Sequence, residues 1–195
     1  MIKILPVELI QFASWSAFAS AIATVLGLVA LVMFFSFGQP WGTVNDISSV
    51  VLALSLMPIL LVLHQLHRPY APFITFAAFV IGVLALLTAV VFQSLLIARI
   101  IAFAQTAVVV PVAFGLFGAS LIIYNGLAYS NELFPHGLAV LGMVAGAGYI
   151  VVIAGFILGG QQHPLSSIGG LTAVVCYPIW AIWFGRLLLA RKLLG

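Results

Sequence analysis

The sequence predicts an all-α, polytopic membrane protein: a bundle of six transmembrane helices with both termini cytoplasmic. Three observations carry this prediction. Hydrophobic residues make up 65% of the 195 residues, and the mean hydropathy is +1.36. Charged residues make up 5%, against about 25% in an average soluble domain, so a soluble fold of this size would lack polar surface to cover itself. The apolar runs are also continuous, whereas strands of a membrane barrel would alternate. A helix alone satisfies every backbone group within its own segment.

The charges, Lys3, Glu8, Asp46, Arg68, Arg99, Glu132, Arg186, Arg191 and Lys192, divide the chain. A bilayer core of roughly 30 Å needs about 20 apolar residues of helix. The charge-free stretches 9–45, 47–67, 69–98 and 100–131 each hold one crossing, and 133–185 holds two, broken by Gly159-Gly160-Gln161-Gln162-His163-Pro164 and Gly169-Gly170. The expected spans are about 12–37, 48–67, 72–93, 107–128, 137–159 and 168–189, a single membrane domain over 1–195. Glu8 and Gln11 interrupt the start, and the first apolar run is long enough to span, which argues against a cleaved signal peptide.

Span one carries a stripe of Ser16, Ser20 and Thr24, hydroxyls able to bond across helices. Trp41 falls in the following loop, and Asn45-Asp46 sits where a polar side chain caps the first turn of span two and suits its dipole. Span two contains Pro58 and ends in His64, His67 and Arg68. After span three, the segment 94–106 is apolar apart from Arg99 and Gln105 and too short to cross. It either extends span three or lies as a helix in the outer interface with Arg99 reaching water, and the interfacial arrangement is the one expected. At the bilayer centre an arginine would cost about 2.5–3.5 kcal/mol. Asp46 and Arg99 are then the outer-face charges, and a pairing between them is the alternative to headgroup contact.

Span four contains Pro111 and span six Pro178; with Pro58, each of these even-numbered spans is expected to kink. Span five holds Gly142-x-x-x-Gly146 and Gly155-x-x-x-Gly159. Residues four apart share a helix face, so Gly142, Gly146, Gly155 and Gly159 are expected to let another backbone approach closely. Trp15, Trp180 and Trp183 fall toward one end of spans one and six, as interface anchors do. The hairpins of spans one–two and five–six look loosely alike through Met57-Pro58-Ile59 and Tyr177-Pro178-Ile179, as an old duplication would leave them.

An even number of crossings puts both termini on one side, with Lys3, Arg68, Arg186, Arg191 and Lys192; the other side has only Arg99. This asymmetry points to cytoplasmic termini in a cell membrane. The net charge of +3 reads as topology and contact with anionic lipid heads. It does not read as nucleic-acid binding, since no basic stripe is interleaved with aromatics. The expected partner is the lipid bilayer.

Few groups suggest chemistry. His64 and His67 are three apart, Glu132 and His136 four apart, and imidazole with carboxylate makes good zinc ligands. These four residues are the metal candidates, against the plainer account of solvated helix ends. The lone Cys176 excludes an intrachain disulfide. Walker A, Gly-x-Ser-x-Gly, His-Glu-x-x-His and Cys-x-x-Cys motifs are absent from the sequence. No lysine or acid lies clearly mid-span. No catalytic residue and no cofactor is assigned.

Three stretches, Trp41-Gly42 with Asn45-Asp46, Pro58 and Leu63-His64; Pro135-His136-Gly137-Leu138-Ala139 with Leu141-Gly142; and Tyr177-Pro178-Ile179-Trp180-Ala181-Ile182-Trp183-Phe184-Gly185-Arg186-Leu187-Leu188, occur in this order. They resemble a group of bacterial and archaeal six-span membrane proteins classed as a domain of unknown function. The resemblance implies six spans and brings no catalytic residues. Size and span count are also similar to substrate-binding subunits of vitamin transporters, a likeness of shape alone.

The leading expectation is therefore a small non-enzymatic membrane protein that packs with itself, as a homo-oligomer, or with a larger membrane complex. The alternative is a transporter or substrate-binding membrane subunit for a small, mostly apolar ligand, lined by the proline-bearing helices and the glycine-rich span. The remote alternative is an intramembrane metalloenzyme. A polar-lined cavity at mid-depth would favour the transporter, converging imidazoles the enzyme, and a solid core the packing protein.

Overall fold

A computed structural model describes residues 6–160 and 162–193; Lys3 of the charge asymmetry and Gln161 of the turn cluster lie outside these. In chain order the helices are α1 (Val7–Phe37), α2 (Trp41–His67), α3 (Pro72–Ile97), α4 (Phe103–Thr106), α5 (Val109–Tyr129), α6 (His136–Gly159) and α7 (Pro164–Leu189). The described residues contain no strand. Six of the helices, all but the single turn α4, are long and apolar enough to cross a membrane.

The helix ends differ from the expected boundaries for identifiable reasons. α2 begins at Trp41, so Trp41 is in its first turn and Asn45-Asp46 lie inside the helix, not at its cap. The capping acceptor is Gln39: its Oε1 receives the Thr43 amide at 3.3 Å and the Thr43 hydroxyl at 3.2 Å. The segment 94–106 is not one continuous helix. Its first four residues complete α3, and α4 abuts α5. Pro111 sits in the first turn of α5, where a proline removes no helical hydrogen bond, so only Pro58 and Pro178 are internal.

Arg99 has its own explanation. It takes a left-handed conformation (φ 59°) just past α3, donating its amide to Leu96 O, while the Ile100 amide reaches Leu95 O. These two bonds are the Schellman pattern that satisfies the last carbonyls of a helix. Arg191 (φ 54°) closes α7 in the same way, through Leu188 O and Leu187 O. Both arginines thus stand at the negative ends of helix dipoles.

The long helices form a closed ring in the order α1, α2, α3, α5, α6, α7, with α7 returning against α1 and α2 touching α5 across the middle. Short turns alternate the helix directions. The connections 38–40, 98–108 and 160–163 share one end, here the loop end. The connections 68–71 and 130–135 share the opposite, terminal end with both chain ends.

Close approach inside the ring rests on small residues. A Cβ on Gly146 would stand 2.5 Å from the Gly118 carbonyl oxygen, and one on Gly118 2.7 Å from that of Gly146. Gly142 faces the Asn125 side chain and Gly155 faces Ser166. Gly159 differs: it is exposed, and its nearest neighbour is His163 of the following turn, not another helix. Ser16, Ser20 and Thr24 are all buried. The outer surface is apolar, with Phe35, Phe73 and Ile157 among its most exposed side chains.

Candidate functional site

The ring is filled unevenly. Its terminal half is solid: Leu56, Ile59, Leu60 and Leu63 of α2 are fully buried there, as are the aromatic residues Phe117, Tyr124, Tyr177, Trp180 and Phe184. The loop half is not filled. It holds a cavity of about 360 Å³, lined by all six long helices and by α4. On α2 the lining runs from Asn45 to Leu52, about 6–16 Å below the helix start at 1.5 Å per residue. On α6 it reaches Tyr149, about 15 Å along the helix from its loop end at Gly159.

The polar groups on the cavity wall are Thr24 of α1, Asn45, Asp46, Ser48 and Ser49 of α2, Gln93 of α3 and Thr106 of α4. The helix boundaries explain why α2 supplies so many: because it starts at Trp41, its second and third turns carry Asn45 to Ser49 below the loop end. Gly27 on α1 faces Asn45 Oδ1 and Ser48 Cβ, each 3.5 Å from where its Cβ would stand. Gln93 is buried, and its Oε1 has no hydrogen-bond partner. The rest of the wall is mainly apolar and includes Leu28, Leu52, Val110 and Phe114, with Tyr149 adding an aromatic ring and its hydroxyl.

Below the floor, aromatic rings run toward the terminal end. Phe114 stacks on Tyr149, Phe117 meets Tyr149 and Tyr177 edge-on, and Trp180 stacks on Phe184 at 5.0 Å. Several of their polar atoms are paired across helices. The Trp180 indole N–H donates to Asn125 Oδ1 at 3.0 Å, and Asn125 Nδ2 donates to Leu121 O at 2.8 Å. The Tyr124 hydroxyl donates to Thr75 O at 2.7 Å. Ser20 gives its proton to Ala17 O, so the Tyr177 hydroxyl donates to Ser20 Oγ, at 2.6 Å. Trp180 is therefore a core residue and not an interface anchor, whereas Trp15 and Trp183 are exposed.

The four metal candidates do not converge. His64 stacks on Phe79, His67 lies between Tyr124 and Phe134, His136 stacks on Tyr129, and Glu132 is exposed. Among the described residues, no group of three His, Cys, Asp or Glu side chains could hold a metal ion. Asp46 and Arg99 are both near the loop end but form no ion pair; Asp46 has no charged neighbour among the described residues.

Comparison with protein-family models, with curated proteins and with solved structures returns no match. The site therefore rests on its own geometry. Sequence reasoning missed Gln93, and it missed Asn125 and Tyr177 as bonded core groups. The available signal was polarity: Asn125 is an amide inside an apolar span, a position that demands a partner.

On the lipid side of the same seam, α1 and α2 leave an apolar groove of about 450 Å³. Ala23 and Ser48 line both this groove and the cavity. Two small side chains separate them.

Proposed function

We propose that this chain is a membrane-embedded binding protein, a transporter or a substrate-binding subunit, for a small and mostly apolar ligand. The observation that carries this reading is the cavity walled by all six long helices in the loop half of the bundle. Its volume falls within the range of small-molecule sites, about 300–1,000 Å³, and its apolar wall with a few convergent polar groups is their usual composition. The groove between α1 and α2 gives a membrane-dissolved ligand a short path to the cavity. Gly142, Gly146 and Gly155 are occupied by neighbouring helices of the same chain, so the small-residue faces no longer argue for an external protein partner.

The test is native mass spectrometry of the protein released from nanodiscs, comparing wild type with Val110→Trp, which fills the cavity. A lipid-facing change, Ile157→Trp, serves as control. A small molecule carried by the wild type and the control but lost from Val110→Trp supports the reading. Equal retention by all three would overturn it.

A further inference from the structure

Four of the hydroxyls around the cavity, those of Thr24, Ser48, Ser49 and Thr106, share one orientation. Ser48 donates to Val44 O at 2.9 Å and Ser49 to Asn45 O at 3.0 Å. Thr24 donates to Ser20 O at 2.9 Å, and Thr106 to Phe103 O at 2.8 Å. A hydroxyl has one proton and two lone pairs. Each of these protons is committed to a carbonyl of its own helix, so these four hydroxyls offer a ligand acceptor capacity alone.

Asp46 adds to this set. An ionised carboxylate is acceptor-only, and no cationic side chain of the described residues stands near it. A carboxylate in the membrane without a counter-charge is costly, and such groups as a rule mark ligand or ion pathways. Gln93 and Asn45 bring amides that can both donate and accept, and Gln93 has an unpartnered Oε1 while buried. The wall thus carries one uncompensated acid and an excess of acceptors on an apolar surface. A bare metal ion would leave most of the apolar wall unused, whereas an organic molecule covers it.

We propose that the ligand of this cavity is a lipophilic amine, with its ammonium group at Asp46 and its apolar body against Leu52, Val110, Phe114 and Tyr149. The inference rests on the cavity being a ligand site. The ammonium supplies the counter-charge that Asp46 lacks and donates to the acceptors around it. A carboxylate ligand would meet like charge at Asp46, and a neutral one would leave the acid uncompensated.

Three probes of matched shape test this: phenethylamine, phenethyl alcohol and phenylacetate, titrated against the protein in phosphatidylcholine nanodiscs. The expected result is that the amine binds about tenfold or more tighter than the alcohol, as one charge-assisted contact would give, and that phenylacetate binds least. Asp46→Asn should remove the amine's advantage over the alcohol. Asp46→Glu, which keeps the charge, should retain the preference for the amine. If the alcohol or phenylacetate binds wild type as tightly as the amine, or if Asp46→Asn keeps the preference, the amine assignment is wrong. In that event Val110→Trp still decides the cavity: loss of alcohol binding there leaves the ligand site standing. If no probe binds wild type, both the amine assignment and the cavity reading fall.

Discussion

The indole N–H of Trp180 on α7 reaches Oδ1 of Asn125 on α5, 55 residues away in sequence and 3.0 Å away in space. The same amide donates through Nδ2 to Leu121 O and lies over Gly142 of α6. One side chain thereby ties three helices together. Asn125→Ala should destabilise the bundle by about 1–3 kcal/mol, because the buried indole N–H loses its acceptor. A double-mutant cycle with Trp180→Phe, read from unfolding in detergent, should give a coupling of about 0.6–1.7 kcal/mol. Strict additivity would mean that the bond contributes nothing.

The second prediction contrasts two glycines. Gly146→Ala should cost about 1–3 kcal/mol by overpacking, since its methyl would meet the Gly118 carbonyl. Gly126→Ala meets nothing within 4 Å and should be neutral or stabilising by about 0.5–1 kcal/mol. Equal melting temperatures for the two variants would contradict the close approach of α5 and α6.

Arg99 gives the third. As the left-handed residue closing α3, it is strained where glycine would not be. Arg99→Gly should therefore hold or raise stability by about 1 kcal/mol, offset in part by the lost dipole interaction. Combined with Asp46→Ala, the effects should add within about 0.3–0.5 kcal/mol, because the two side chains form no pair. A larger coupling in a thermal-unfolding cycle would restore the ion pair.

The fourth concerns orientation, for which the charge asymmetry is the motive. With Cys176 replaced by alanine, single cysteines at Gln39 and Gln162, both exposed at the loop end, should react with an impermeant maleimide in intact cells. Cysteines at Arg68 and Asn131 should react only after permeabilisation. The opposite pattern would invert the topology.

The number of spans was legible because charge spacing and bilayer thickness are compared on one scale, and the one stretch long enough for two, 133–185, is broken by its glycine-rich turn. Ring order was not, since nothing local in α7 says that it packs on α1. Asn45-Asp46 misled for a physical reason. A polar pair before an apolar run has the same pattern whether it caps a helix or faces a cavity inside one, and the cap at Gln39 lies in residues that read as loop. Trp180 misled likewise: near a helix end an aromatic ring suggests the interface, and its burial depends on an amide contributed by α5. The left-handed Arg99 carries no glycine signal, so the end of α3 could not be read from it.

The closure of α1 onto α7 bears on how the protein is made. α1 is made well before one of its two neighbours, since the Tyr177 partner of Ser20 comes 157 residues later. At about 5–20 residues per second, that interval lasts roughly 8–30 s. Throughout it, the hydroxyls of Ser14, Ser20 and Thr24 are already satisfied by carbonyls of their own helix, so these three can reside in lipid before α7 is made. Until α7 arrives the bundle is an open arc, with α1 lacking one of its two neighbours in the ring.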